Sequence, residues 1–93
     1  MAIETTVLDF QISNTFEDYQ SHMNAAEQKA MFKEMGVKIF YIGRSLEDPQ
    51  RATVIFQGPE NVLYDIFINP ETKPIVEASG HIYLGTKISR WIS

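Results

Sequence analysis

Apolar and polar residues alternate near the beginning of the chain. In residues 5–12, TTVLDFQI, the side chains of Leu8, Phe10 and Ile12 share one side and the residues between them share the other. Successive side chains of a β-strand point to opposite faces, so this alternation predicts a strand with one apolar and one mixed face. Three further β-rich runs are predicted to be strands: residues 37–44, 51–57 and 81–92.

A helix is predicted between the first two strands. Residues 14–36 end at a glycine, Gly36, which commonly closes a helix, and Asn14 with Glu17 fits a capping box at the other end. Apolar side chains recur there at steps of three and four, which predicts one apolar face. That face consists of Phe16, Tyr19, Met23, Ala26 and Ala30.

A second, broken helix is predicted before the last strand. Pro59 suits the first position of a helix, and Asn69-Pro70 interrupts the helical pattern before Gly80 ends it. Its buried side is predicted to be Val62, Leu63, Ile66 and Phe67.

The resulting order, β-α-β-β-α-β, is that of an α+β, ferredoxin-like βαββαβ fold. We expect a four-stranded antiparallel sheet with both helices on one face, in which each half makes a right-handed crossover. The 93 residues are enough for one core, so residues 1–93 are predicted to form a single domain.

Alternation assigns each strand residue to one face, and a slip of one residue exchanges the faces. The register of residues 37–44 stays open. The face toward the helices is predicted to hold Leu8, Phe10, Ile12, Val54, Phe56, Ile82, Leu84 and Ile88. The opposite face is predicted to hold Asp9, Gln11, Phe40, Ile42, Thr53, Ile55, Gln57, His81, Tyr83, Lys87 and Trp91.

This second face is too apolar to be a simple solvated surface, since contiguous exposed apolar side chains indicate an interface. Two-fold pairing of identical chains is the commonest way to cover such a face. We therefore expect a homodimer in which the two sheets face each other. Phe40, Trp91, Met31 and Phe32 are the expected contacts between the two copies. For Met31 and Phe32, which fall outside the apolar face of the first helix, a second buried flank of that helix is the alternative.

Composition excludes several kinds of partner. Eight basic and twelve acidic residues give a net charge of −4, and the basic residues are scattered, which disfavours nucleic acid. There is no cysteine, which removes disulfides and thiolate ligands. Neither a signal peptide nor an apolar run long enough for a membrane span is visible, so a soluble cytoplasmic protein is expected.

Several motifs along the chain resemble those of a known superfamily. They are Met35-Gly36 before the second strand, the turn DP-x-R, the segment F-x-G-P-E, the helix break NPE, and SGH before the last strand. Over residues 5–92 the sequence looks like the dimeric α/β-barrel superfamily, and is similar to a small family of uncharacterised, mainly cyanobacterial proteins. The resemblance implies a homodimeric barrel. It implies no single activity, because that superfamily includes cofactor-free monooxygenases, lactone isomerases and haem enzymes, and no catalytic motif transfers.

Three side chains are weak candidates for catalysis. His81 titrates near neutral pH and Tyr83 is predicted on the same face. A carboxylate at Asp9 on that face would be partly desolvated unless Lys87 or Arg90 paired with it. Structural roles are the plainer alternative for all three: a hydrogen bond to a helix end or to the partner subunit for His81, and a water-bridged interface group for Asp9.

Metal and haem sites are not expected. His22 is predicted on the helix surface, and neither histidine belongs to a ligand pair at HxH or HxxxH spacing. We predict no metal site and no cofactor.

Three functions remain open from the sequence. The first is a non-catalytic homodimer that binds a small hydrophobic or aromatic molecule, either in a pocket between the sheet and the helices or inside the barrel, with Gln11, Phe40 and Trp91 as candidate ligand contacts. The second is a cofactor-independent monooxygenase or isomerase acting on an aromatic or cyclic substrate. The third is a regulatory domain that binds a metabolite.

Overall fold

The computed structural model describes residues 2–93. Four strands and four helices follow one another along the chain. They are β1 (Ile3–Ile12), α1 (Phe16–Met23), α2 (Ala26–Glu34), β2 (Lys38–Arg44), β3 (Arg51–Pro59), α3 (Val62–Ile68), α4 (Lys73–Glu77) and β4 (His81–Ile92).

The strands form one antiparallel sheet in the order β2-β3-β1-β4. The helices lie against one face of this sheet, and the other face carries no helix. The predicted ferredoxin-like α+β fold is confirmed, with each of the two predicted helical segments divided in two.

The core lies between the helices and the even-numbered residues of the central strands. Phe10 and Val54 have no exposed surface, and Tyr19 and Phe32 reach them from the helices. Alternation continues without interruption along β1 and β3, because these two strands pair with each other in a single register from Ile3 to Gln11. Truncation of a buried phenylalanine such as Phe10 to alanine costs about 3–5 kcal/mol of stability.

The first helical segment breaks after Met23. Asn24 closes α1, and Ala25 takes an extended conformation before α2 begins. The break rotates the second half of the segment about its axis. The predicted apolar face is therefore correct only up to Met23. Beyond it, Ala26 and Ala30 are exposed, and Phe32 is buried instead.

The cap of α1 also differs from the prediction. Thr15, not Asn14, is the N-cap residue, and its hydroxyl accepts a hydrogen bond from the backbone of Asp18. The Asn14 side chain instead donates a hydrogen bond of 2.9 Å to the backbone carbonyl of Ser79, two residues before β4 begins.

The second helical segment starts later than predicted. Pro59 is the last residue of β3, and α3 begins only after Asn61, whose φ of 72° lies in the left-handed region. Asn tolerates this conformation better than most residues. The break at Asn69-Pro70 occurs as the sequence predicts.

A bulge in β4 exchanges the faces of its first half. Asp9 pairs with Lys87 and Gln11 pairs with Ile82, so two steps along β1 correspond to five along β4. Gly85, with a φ of 80°, lies within the bulge. β4 therefore has three more residues than β1 over this stretch, and an odd difference exchanges the two faces of the strand. The alternation predicted for the whole strand is correct only after the bulge.

Four predicted face assignments in β4 are therefore wrong. His81 and Tyr83 lie on the side of the helices, where His81 is buried. Ile82 lies on the helix-free face, and Leu84 projects from the bulge with 88% of its surface exposed.

The register of β2 corrects one further assignment. Ile42 pairs with Val54 and packs against the core, whereas it was predicted on the helix-free face. Tyr41 pairs with Ile55 on that face instead. The pairing shifts between Ile39 and Tyr41, which places Phe40 in a second bulge.

A buried carboxylate ties one end of the sheet together. Arg90 binds both carboxylate oxygens of Glu4 at 2.8 Å, and the hydroxyl of Thr6 and the backbone N–H of Asn61 also donate to Glu4. The guanidinium of Arg90 lies 4.1 Å from the ring centroid of Tyr64. These bonds join β1, β4 and the start of α3.

Candidate functional site

A cavity of about 110 Å³ lies between the helices and the sheet. Side chains from both helical segments and from the strands surround it. Most of the wall is apolar, and its main contributors are Met31, Phe32, Met35, Leu63, Ile66 and Phe67.

Few polar groups reach this cavity. They are the hydroxyl of Tyr19 and the side chains of His22, Gln28, Thr72, Ser79 and His81. Within residues 2–93, no Asp, Glu, Lys or Arg lines it. The cavity is therefore suited to an uncharged occupant, because a buried charge without a partner is costly.

The imidazole of His81 is held at the cavity wall by three aromatic rings and one hydrogen bond. One ring face stacks on Phe10, with centroids 3.8 Å apart, and Phe67 and Tyr83 lie against the ring at 5.5 and 5.4 Å. Its Nε2 lies 2.9 Å from the hydroxyl of Thr86, within the bulge of β4. The bulge is what turns His81 inward and brings Thr86 back to it.

Burial lowers the pKa of His81 from 6.5 to about 4, since removal from water penalises the charged imidazolium. His81 is consequently neutral at pH 7. A neutral imidazole has one N–H donor and one nitrogen acceptor, and it can exchange hydrogen bonds with an uncharged molecule.

Tyr83 lies beside His81 but its hydroxyl is occupied. The hydroxyl donates to the backbone carbonyl of Phe67 at 3.1 Å, and the two rings stack with centroids 4.7 Å apart. Burial, followed by the charge of Glu77, raises the pKa of Tyr83. Tyr83 therefore supports His81 and Phe67 rather than offering a free proton.

Asp9 is on the opposite side of the sheet from the cavity. Its carboxylate pairs with Arg51 of the neighbouring strand at 2.6 Å, and not with Lys87 or Arg90 as the sequence suggested. The structure thus brings His81 and Tyr83 together and separates Asp9 from both.

The three predicted ligand contacts do not line this cavity. Gln11 and Trp91 belong to the helix-free face of the sheet, and Phe40 lies in the bulge of β2. Trp91 is 65% exposed and Phe40 is 61% exposed.

Sequence analysis missed most of the residues that surround the cavity. His22, expected on the surface, lines it and lies 3.3 Å from the amide of Gln28 through Nε2. Met31 and Phe32 were expected at a dimer interface, yet both line the cavity, and Phe32 is buried. Their departure from the predicted apolar face was the available signal, because it reflects the break between α1 and α2.

The described part of the chain has no group of three or more His, Cys, Asp or Glu side chains that could hold a metal ion. Among the same residues, no helix has the length and the apolar character needed to cross a membrane.

The sheet order and the one-sided helices define a ferredoxin-like α+β protein, with a partly open apolar cavity between its two layers. The chain belongs to the DUF3764 family, described as a domain of unknown function, whose model matches residues 3–93. The comparison with curated proteins finds no match.

Solved structures with this fold come from several organisms. One is SnoaB, a cofactor-independent oxygenase from Streptomyces nogalater, with 14% identity, a TM-score of 0.65 and coverage of 98% of this chain and 92% of that one. Another is a conserved protein from Methanosarcina mazei, with 22% identity, a TM-score of 0.60 and coverages of 98% and 92%.

A third is a dimeric ferredoxin-like protein from an uncultured marine organism, with 7% identity, a TM-score of 0.59 and coverages of 100% and 89%. At these identities the likeness establishes the fold and nothing further.

Proposed function

We propose that the protein binds a small, uncharged and mostly apolar molecule in the cavity between its sheet and its helices. The composition of the cavity wall supports the proposal. The wall is mostly apolar, its polar groups are few, and none of the described residues that line it has a permanent charge. Small-molecule sites have this composition.

The size of the cavity limits the size of the buried group. Its volume of about 110 Å³ far exceeds the roughly 10–15 Å³ that one water needs, and is somewhat below the roughly 150 Å³ of an apolar cavity that binds benzene. One ring or a short carbon chain would fit. Met31 on α2 and Ile75 on α4 line the cavity and are also partly exposed, so a longer ligand could extend outward between them.

A thermal-shift comparison tests this proposal. Val76 of α4 lines the cavity, so Val76→Phe should fill it, and a single-ring apolar probe such as toluene should then lose its stabilising effect. Glu77→Phe is the matched control, because Glu77 follows on the same helix, is exposed and does not line the cavity. The proposal fails if toluene leaves the melting temperature of the wild type unchanged, or stabilises both variants equally.

Two copies are proposed to pair through the helix-free faces of their sheets. Tyr41 and Trp91 are more than half exposed on that face, and Ile82 adds to its apolar surface. The marine ferredoxin-like neighbour is described as dimeric, which supports pairing here as well. Such pairing would leave the cavity free, because the cavity lies on the opposite side of the sheet.

Cofactor-independent oxygenation is the second candidate function. It is supported by the fold shared with SnoaB and by the neutral imidazole of His81 at the cavity wall. In such a reaction His81 would accept a proton from a carbon atom of an aromatic substrate, and the resulting carbanion would form a C–O bond with molecular oxygen. With the proton returned from His81, the hydroperoxide so formed would break its O–O bond and lose water, leaving one oxygen atom on the substrate. A base with a pKa of about 4 is weak for this step at neutral pH, which is why binding is the preferred proposal.

Oxygen uptake distinguishes these two functions. Catalysis requires oxygen consumption with a hydroxylated aromatic probe that exceeds the uncatalysed rate and is lost in His81→Phe. Binding without catalysis predicts that the probe stabilises the protein while oxygen uptake stays at the background rate.

We also propose that residues 1–93 form one domain and that the protein resides in the cytoplasm. Its relatives are proposed to be mainly cyanobacterial. A regulatory role for the bound molecule stays a prediction of the sequence.

A further inference from the structure

We propose that Thr86 is a positioning residue that fixes His81 in the Nε2–H tautomer, so that the cavity presents Nδ1 as an acceptor and selects ligands with a neutral hydrogen-bond donor. The ligand selection rests on the proposed binding function, whereas the tautomer is a property of the unliganded protein.

The tautomer follows from counting protons at the Thr86 hydroxyl. A hydroxyl has one proton to donate. Thr86 lies 3.0 Å from the backbone carbonyl of Ile82, which can only accept, so the hydroxyl proton is directed there. The same oxygen lies 2.9 Å from Nε2 of His81 and must accept at that contact. Nε2 therefore carries the proton of the neutral ring.

Nδ1 is consequently the acceptor atom of His81. In the part of the chain that the structure describes, this atom makes no hydrogen bond, although Nε2 does. The stacked ring of Phe10, 3.8 Å away and within 11° of parallel, holds the imidazole plane in place. The acceptor is thus presented in a fixed orientation by a ring that lines the cavity.

Two other hydroxyl groups that line the cavity, those of Ser79 and Thr72, also donate their protons to the backbone. Ser79 donates to the carbonyl of Val76 at 2.6 Å. The hydroxyl of Thr72 lies within hydrogen-bond distance of the carbonyls of Ile66 and Asn69, which can only accept, so its one proton is directed to the backbone as well. Both hydroxyls have therefore directed their protons to the backbone and have only lone pairs to offer a ligand. The donors of the cavity wall are the hydroxyl of Tyr19 on α1 and the His22–Gln28 pair on α1 and α2. A ligand group that binds beside His81 must therefore be a hydrogen-bond donor.

Nitrogen NMR of the ligand-free protein tests the tautomer directly. At neutral pH the ring of His81 should show a protonated Nε2 and an unprotonated Nδ1. Thr86→Ser retains the hydroxyl and should keep this pattern, whereas Thr86→Val removes the acceptor and should give averaged or altered ring shifts. A protonated Nδ1 in the wild type, or an unchanged pattern in Thr86→Val, would overturn the positioning role.

Paired ligands test the selection. Para-cresol and its methyl ether have the same ring, but only para-cresol has a donor. The cresol should bind about threefold to tenfold more tightly in NMR titrations, the range expected for one neutral hydrogen bond. His81→Phe keeps a ring for stacking on Phe10 and removes the acceptor, so the preference should disappear while both probes still bind.

The outcomes separate this inference from the function on which it rests. Equal binding of the two probes to the wild type overturns donor selection and leaves cavity binding intact. Binding of neither probe overturns both the selection and the proposed function, while the NMR pattern of the free ring still decides the role of Thr86.

Discussion

The imidazole of His81 and the phenyl ring of Phe10 stack face to face, with centroids 3.8 Å apart and planes 11° apart. His81 is thereby part of the aromatic core of the protein, with 3% of its surface exposed. A titratable ring in this position makes stability depend on pH, because protonation would place a charge among aromatic side chains with no carboxylate bonded to it.

We expect acid to destabilise the protein through His81. The unfolded chain binds a proton at this residue below about pH 6.5, whereas the folded chain does so only below about pH 4. The unfolded state therefore binds more protons between these values, and the free energy of unfolding falls as the pH drops from 6.5 to 4. The shift of pKa corresponds to about 3 kcal/mol at most.

Urea denaturation at a series of pH values measures this effect. His81→Phe keeps an aromatic ring on Phe10 and has no proton to bind, so its stability should vary much less across the same window. A wild-type profile as flat as that of the variant would contradict the buried, neutral state of His81.

How well the sequence predicted each strand depended on whether the strand pairs without interruption. In β1 and β3 the apolar residues Leu8, Phe10, Ile12, Val54 and Phe56 were assigned correctly to the core, because these two strands pair with each other in one register from Ile3 to Gln11. In β4 the alternation before Gly85 was assigned to the wrong face. Sequence periodicity shows that a glycine is present but does not give the number of residues in a bulge, and an odd number exchanges the faces.

The candidate site was predicted only in part, because the bulge in β4 also decides on which face His81 lies. His81 was selected because it is a titratable residue near aromatic ones, yet it was placed on the helix-free face and grouped with Asp9. A pocket between the sheet and the helices was one of two predicted places for a ligand, but its lining could not be predicted, because it depends on the break after Met23 that brings Met31 and Phe32 to the cavity. Glu4 was missed because the predicted strand began at residue 5, one position too late to include it.

Substitution of Gly80 should destabilise the start of β4. Gly80 has a φ of 103°, and a Cβ atom there would overlap the side chain of Asn14, which holds the carbonyl of Ser79. Gly80→Ala should therefore cost at least the roughly 1–3 kcal/mol of a strained backbone. Gly85→Ala is the matched control, since Gly85 has a φ of 80° and nothing lies near its Cβ position.

Urea midpoints of these two variants separate overlap from backbone strain. Gly80→Ala should lose more stability than Gly85→Ala, and adding Asn14→Ala should recover part of that difference. Equal losses for the two glycine variants would mean that the Asn14 contact contributes nothing.

The carboxylate of Glu4 should stabilise the fold above pH 4.5. Hydrogen bonds from Arg90, followed by those from Asn61 and Thr6, outweigh burial and lower the pKa of Glu4 from 4.5 to about 2. The folded state therefore holds the proton less tightly than the unfolded state, and the stabilisation is lost as the pH falls from 4.5 to about 2.

Glu4→Gln tests this contribution. The variant should be less stable than the wild type at pH 7, and the difference should shrink as the pH is lowered through the same window. Glu47→Gln, at an exposed loop position, should match the wild type at both ends. A difference between Glu4→Gln and the wild type that does not depend on pH would show that the charge of Glu4 is not what stabilises the sheet.

A charge on the helix-free face should separate the proposed dimer. Trp91 is 65% exposed at the end of β4, and a lysine there would have to be desolvated if a second copy covered it. We expect sedimentation velocity to show a dimer for the wild type and a monomer for Trp91→Lys. Leu46→Lys is the control, because Leu46 is 94% exposed in the loop between β2 and β3 and belongs to neither face of the sheet.

Cavity binding gives this experiment a second readout. The cavity and Trp91 lie on opposite sides of the sheet, so monomeric Trp91→Lys should still bind para-cresol with the affinity of the wild type. A wild type that sediments as a monomer would contradict the dimer. Loss of binding together with the loss of the dimer would show that the two sides of the sheet are coupled, which the described contacts give no reason to expect.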